Sequence, residues 1–143
     1  MVVIEQAKPE YFEQVWELQA SIAPLGREKQ EANAILQAML DSEDHFLAVA
    51  REGDKILGTV TGVCCHILLS SFLAIEDMVV REEYRGMGIG KQLMEAMDEF
   101  AVRRGCLYGI LVSSGFRKEA HKFYEKQGFE EEVRGFRKGY KEH

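Results

Sequence analysis

Apolar residues recur along this chain with two periods, and the switches between them mark out the elements. Val2, Val3 and Ile4 read as a short first strand, and Pro9 then opens a helix whose apolar positions Tyr11, Phe12, Val15, Trp16 and Leu18 return at helical spacing. Ala23-Pro24-Leu25-Gly26 breaks that helix, and a second one carries Ala32, Ile35, Leu36, Met39 and Leu40 before the polar run Asp41-Ser42-Glu43-Asp44. The period then shortens. Residues 46–50 and 55–61 flank Glu52-Gly53-Asp54 in the pattern of an antiparallel hairpin whose second arm continues to His66. Residues 67–73 read as an apolar loop or strand end, and residues 74–80 as a largely buried central strand. Helical spacing returns at Ile89, Leu93, Met97, Phe100 and Ala101, with Glu95, Asp98, Glu99 and Arg103 turned away and Gly105 as the stop. Residues 107–112 form another apolar strand, Ser113-Ser114-Gly115 a turn, and residues 118–127 a helix closed by Gly128. Residues 129–140 are expected to supply the last strands, interrupted at Gly135 and Gly139.

This order predicts an α+β (or α/β) sheet flanked by about four helices, with antiparallel strands first and a right-handed strand-helix-strand crossover after them. At 143 residues the chain suits a single domain, 1–143, that buries roughly two thirds of its unfolded surface. No internal repeat or low-complexity tract interrupts it.

Charge and cysteine usage narrow the chemistry. The 24 acidic against 18 basic residues give a net charge of -6, which argues against a nucleic-acid binder and favours amine or other cationic partners. No apolar run reaches membrane-spanning length, and the start at Met1-Val2-Val3-Ile4-Glu5 lacks the pattern of a signal peptide. Cys64, Cys65 and Cys106 form no CxxC pair, and His45, His66, His121 and His143 are scattered. They read as reduced residues of a cytoplasmic protein, with no metal site.

The stretch with specific chemistry is Arg85-Gly86-Met87-Gly88-Ile89-Gly90-Lys91, between the central strand and the long helix. The first N–H groups of a helix have no acceptor inside it, and the helix dipole adds positive potential, so an anion settles there if side chains leave room. Gly86, Gly88 and Gly90 leave that room, and Arg85 and Lys91 add charge. A pyrophosphate fits. The Rossmann spacing nevertheless fails, because Lys91 or Leu93 stands where its third glycine belongs, and a Walker loop fails at Arg85 and Gln92.

What the residues do match is Arg/Gln-x-x-Gly-x-Gly/Ala, met by Arg85, Gly88 and Gly90, and in this the chain resembles the GCN5-related N-acetyltransferase (GNAT) superfamily. The preceding Val80 to Gly86 follows the family's Val-x-x-x-x-Arg-Gly, and Ala120, Phe123, Tyr124, Gly128 and Phe129 follow its later Ala-x-x-Phe-Tyr-x-x-x-Gly-Phe. The likeness is close over residues 74–129 and loose elsewhere. One departure is Arg117, where many members carry an Asn.

The resemblance implies a mixed sheet whose parallel central pair splays apart, with acetyl-CoA as co-substrate in the cleft. Its pantetheine arm would lie along the backbone of Met78, Val79 and Val80, its pyrophosphate in the loop of Arg85, Gly86, Met87, Gly88, Ile89, Gly90 and Lys91, and Arg117 and Tyr124 near it. It also implies direct acetyl transfer to a primary amine. That reaction needs an oxyanion donor, for which the Met78 N–H serves, and an acid for the leaving thiolate, for which Tyr124 serves with a normal pKa of about 10. Glu76 and Asp77 are adjacent carboxylates in an apolar strand, costly unless they have a task. Strand alternation sends them to opposite faces. The run Ile75-Glu76-Asp77 with Val80 resembles the family's small-molecule acetylases, which favours Glu76 acting through water as base over Asp77, while a structural role such as capping a neighbouring backbone, or binding the acceptor ammonium, stays open beside it. The expected acceptor is a small-molecule amine such as an amino sugar, aminoglycoside or polyamine, and Tyr11, Trp16 and residues near Gly26 border its site. A peptide or protein N-acetyltransferase and a non-catalytic acyl-CoA-binding module stay open as alternatives. So does a homodimer built through the C-terminal strands.

Overall fold

In the computed structural model the described residues are 1–22, 26–112 and 118–140. They fall into two compact units, Met1–Leu111 and Val112–His143, each described by itself.

The first unit is a five-stranded sheet in the order β1-β2-β3-β4-β5: β1 (Val3–Gln6), β2 (His45–Glu52), β3 (Lys55–Ile67), β4 (Ser70–Val80) and β5 (Tyr108–Leu111). The first three pairings are antiparallel and β4 pairs with β5 in parallel, as the sequence pattern predicts. After a single 3-10 turn at Pro9–Tyr11 come α1 (Phe12–Ala20) and α2 (Lys29–Leu40), and α3 (Ile89–Arg104) is the crossover between β4 and β5. Among the described residues no helix is long and apolar enough to cross a membrane.

Period-2 alternation distributes the core. Leu47 and Val49 of β2 join Val15 and Leu18 of α1 and Leu36 of α2 in one buried cluster. The space over Gly62 of β3 belongs instead to Met97 of α3, whose Sδ stands 2.5 Å from where a Cβ would be. Leu93, Met94 and Met97 of α3 are fully buried, each worth about 1.5–3 kcal/mol of transfer free energy. Gly58 faces a firmer limit, because a Cβ there would lie 3.0 Å from the Val79 carbonyl oxygen. Gly58→Ala is therefore expected to destabilise the unit by about 1–3 kcal/mol, read from urea unfolding, since the oxygen it meets is part of β4 and cannot step aside without disturbing the ladder.

Two segments differ from their sequence reading. Residues 67–73, expected as loop or strand end, mostly belong to a long β3–β4 hairpin with Ile67 opposite Ser70 and only Leu68 and Leu69 at its tip. Both leucines are over 90% exposed, so their apolarity does not signal burial. Residues 129–140, expected as the last strands, contain none. Their few strand formers, Val133, Phe136 and Tyr140, are exposed and sit among Glu130, Glu131, Glu132, Arg134, Arg137 and Lys138, which favour solvent over a pleated surface.

The second unit contains α4 (Lys118–Lys126). Its end is closed as Gly128 suggests: φ there is 96°, and the N–H groups of Gln127 and Phe129 donate to the Tyr124 carbonyl at 3.0 and 3.1 Å.

Candidate active site

The site begins with an irregularity in β4. Gly58 pairs with Val80 and Thr59 with Val79, but Thr61 pairs with Glu76, so Asp77 and Met78 together face Val60 alone. This is a β-bulge, and Asp77 takes up the extra length at φ 54°, a left-handed conformation that Asp tolerates better than most residues. Its consequence corrects the expectation that Glu76 and Asp77 point to opposite faces. Alternation is broken between them, and both carboxylates line one cavity.

That cavity measures about 420 Å³. Phe12, Trp16 and Gln19 of α1, Ile35 and Met39 of α2, and Leu47, Thr61 and Val63 of the sheet are in its wall, with Gly26 and Arg27 from the α1–α2 connection and His45 beside them. Gln14 holds α1 over the sheet: its side-chain amide donates to the Asp54 carbonyl at 2.8 Å and accepts from the Ile56 N–H at 2.8 Å. Gln19 donates to the Thr61 hydroxyl at 3.4 Å. Burial raises the pKa of Glu76, and the neighbouring Asp77 charge raises it further. Burial raises Asp77 as well. Glu76 is exposed and Asp77 half-buried, and carboxyls whose pKa values are raised in this way suit taking a proton and giving it up again.

Of the aromatic residues expected near the acceptor, Trp16 lines the cavity and Tyr11 does not. Tyr11 donates to the Glu5 carboxylate at 3.2 Å, a side chain that Arg51 also holds. Residues 23–25, named with Gly26 at the helix break, lie outside the described residues.

Beside the cavity β4 leaves an open edge. Its pairing with β5 ends at Ile75 opposite Leu111, so from Glu76 to Val80 it has no strand partner on that side among the described residues. Backbone N–H and C=O groups in such a stretch are available to an extended ligand. Met78, Val79 and Val80, expected to hold the pantetheine arm, lie in it. The strand is then anchored past its end, where the Arg81 N–H donates to the Leu57 carbonyl at 2.8 Å and its Nε donates to the Ile56 carbonyl at 2.6 Å.

The glycine loop follows. Arg85 is exposed and its Nε donates to the Val80 carbonyl at 3.2 Å, which keeps the guanidinium at the end of β4. Gly86 and Gly88 both have φ 81°, and Gly88 is the N-cap of α3. No atom lies within 4 Å of where a Cβ would stand on either glycine, and no acidic residue occupies the first turn of α3. Ile89 is buried beneath the turn and Lys91 is exposed beside Gly90. Open glycines, unneutralised helix N–H groups and two flanking cations suit an anion such as the pyrophosphate of acetyl-CoA.

Tyr124 lies on α4 in the second unit, its ring edge-on to Phe123 at 5.5 Å and to Phe129 at 6.3 Å. Arg117 and the turn at Ser113, Ser114 and Gly115 fall outside the described residues. Arg27 adjoins Gly26, where the sequence placed part of the acceptor site; Gln19, Met39 and His45, which belong to no motif, were not found by sequence reasoning and are brought together only by packing α1 and α2 on the sheet.

The chain matches the model of the acetyltransferase (GNAT) family over residues 12–129. It is 43% identical over 63 residues to a glucosamine 6-phosphate N-acetyltransferase of Trypanosoma brucei brucei, a stretch that makes up 44% of this chain and 41% of that protein. It is 27% identical over 94 residues to an aminoalkylphosphonate N-acetyltransferase of Salmonella typhimurium (strain LT2), covering 65% of this chain and 61% of the relative. The chain thus spans under two thirds of either enzyme. A solved glucosamine-6-phosphate N-acetyltransferase from Arabidopsis thaliana has the same fold, with a TM-score of 0.83 at 23% identity over 99% of both chains.

Proposed function

The chain belongs to the acetyltransferase (GNAT) family, and from that premise we propose that it moves the acetyl group of acetyl-CoA directly onto a primary amine of a small molecule bound against Glu76 and Asp77. The observation that carries this reading is the β4 bulge, which brings two acidic residues with raised pKa values to the lining of one largely apolar cavity beside the open edge of the same strand. A cavity of about 420 Å³ suits a small acceptor, within the usual range of roughly 300–1,000 Å³ for small-molecule sites. Two related enzymes act, by name, on amines that carry a phosphoryl or phosphonyl group, and Arg27 in the wall offers such a group a cation.

The chain's own groups divide the work. The α3 N-terminus with Arg85 and Lys91 holds the pyrophosphate, and the backbone of Met78 to Val80 holds the arm. Glu76, through water, takes a proton from the acceptor ammonium so that the neutral amine attacks the thioester carbon, and Asp77 beside it keeps the Glu76 pKa up. The Met78 N–H donates to the oxyanion, and Tyr124 returns a proton to the departing thiolate.

Release of free CoA thiol from acetyl-CoA, measured against glucosamine 6-phosphate, an aminoglycoside, an aminoalkylphosphonate, spermidine and a lysine peptide, tests the proposal. Turnover with a small amine and none with the peptide is the expected result, and turnover with the peptide alone would overturn it. Trp16→Ala is expected to raise the acceptor KM about tenfold or more, equivalent to roughly 1.4 kcal/mol, while the acetyl-CoA KM stays within about twofold. Steady-state kinetics with each substrate varied in turn separate the two.

A further inference from the structure

Three side chains with metal-ligand chemistry, none of which lines the acetyl-transfer cavity, meet elsewhere in the first unit. Cys64 and His66 lie two residues apart on β3 and so share a face of the sheet. Asp44 is tied to them by the backbone, because the Cys64 N–H donates to its carbonyl at 2.7 Å. One oxygen of Asp44, Sγ of Cys64 and Nε2 of His66 lie within 4.8 Å of one another, with Nε2 3.0 Å from Asp44 Oδ1 and 3.7 Å from Cys64 Sγ. A tetrahedral ion with bonds of about 2.0–2.3 Å spaces its ligands roughly 3.3–3.8 Å apart, so the trio needs only small adjustments to close on one.

The surroundings are those a metal site uses. His66 Nδ1 is 2.7 Å from the hydroxyl of Ser71, its partner in the β3–β4 register, and such a bond fixes the ring so that the opposite nitrogen faces the ion. Cys106 donates its S–H to Cys64 Sγ at 3.1 Å, so a second sulfur stands against the trio. Arg104 donates to Asp44 Oδ1 at 3.0 Å and steadies the carboxylate, while its own charge is answered by Glu43 at 3.8 Å. A dication would be balanced by the Cys64 thiolate and the Asp44 carboxylate, leaving no net charge in the trio.

We propose that Asp44, Cys64 and His66 form a binding site for a divalent transition-metal cation of the zinc class. The mixed sulfur, nitrogen and oxygen donors select zinc or its analogues over calcium or magnesium. Binding breaks the Cys64 S–H bond, forms a metal–sulfur bond and releases one proton to solvent. The His66 and Asp44 side chains are 50% and 37% exposed, so a water completes the fourth position. The sequence offered only Cys64-x-His66, since the third ligand comes from a different element.

Titration of the reduced full-length chain with cobalt(II), a coloured stand-in for zinc, tests this. The expected result is a thiolate-to-cobalt charge-transfer band that saturates at one equivalent, is bleached by zinc, and persists in Cys106→Ser. His66→Gln and Cys64→Ser are each expected to weaken binding by about tenfold or more. Because Cys64 is buried, its variant is read only if its circular dichroism is native, and His66→Gln, at a half-exposed ring, decides otherwise. Absence of the band, or a band unchanged in His66→Gln, would overturn the proposal.

Discussion

Gly88→Val is expected to abolish measurable acetyl-CoA binding, a loss of more than about a hundredfold, equivalent to roughly 2.7 kcal/mol. Gly88 caps α3 at φ 81°, and open space lies where its side chain would stand. A valine Cβ there would have no protein atom within 4 Å, and its branches would fill the space in front of the first N–H groups of the helix, where the proposal puts the pyrophosphate. The substitution also forces a β-branched residue into a left-handed conformation at a cost of about 1–2 kcal/mol or more, so its melting temperature should fall. Gly90→Val separates the two effects. Gly90 lies within the first turn of α3, with no positive φ, and should lose binding with little backbone strain. Calorimetric titration with acetyl-CoA on folded variants reads both, and unchanged affinity in either one would remove the anion site from this loop.

Glu76→Gln is expected to lower kcat by about 10²–10⁴-fold, the usual worth of a positioned general base, with acetyl-CoA affinity unchanged. Asp77→Asn should behave differently. The Asp77 charge helps to raise the Glu76 pKa, so its removal lets Glu76 ionise at lower pH and moves the acidic limb of the rate profile downward while turnover persists. Stability should move as well. Burial raises the folded pKa of Asp77 above its unfolded value of about 3.9, so the folded state holds that proton more tightly. The resulting stability is fully present below the unfolded pKa and is lost as pH rises through the folded one. At neutral pH the variant, with no charge to bury and an Asn that also accepts positive φ, should therefore melt higher than the parent. The difference should shrink as pH falls toward 4. Thermal melts at two pH values and CoA release across pH measure both. A collapse of turnover in Asp77→Asn together with a mild effect in Glu76→Gln would exchange the two roles.

These contrasts trace which features the sequence made legible. The glycine loop and α3 were readable because their physics is local: a glycine cap at Gly88, helical spacing from Ile89 to Ala101, and Gly105 at φ 75° as the stop. The parallel β4–β5 pair followed from the crossover rule. The bulge at Asp77 and Met78 was not readable, because it depends on how β3 and β4 settle against each other, and its only local trace is two adjacent carboxylates in an apolar strand. Residues 129–140 misled because glycine-punctuated apolar positions resemble short strands whether or not a partner takes up their hydrogen bonds. The cavity wall was hidden for a third reason. Gln19, Met39 and His45 lie on three different elements, carry no motif and converge only in three dimensions.

Trp16 makes acceptor binding directly measurable, since it is the chain's single tryptophan and it lines the cavity beside Glu76 and Asp77. Titrating the Glu76→Gln protein, held with acetyl-CoA, with the amine that the parent turns over should give a saturable change in tryptophan fluorescence with a Kd close to the acceptor KM. A productive acceptor that binds without disturbing Trp16 would contradict the account, because its amine would then be reaching the acetyl group from somewhere other than this cavity.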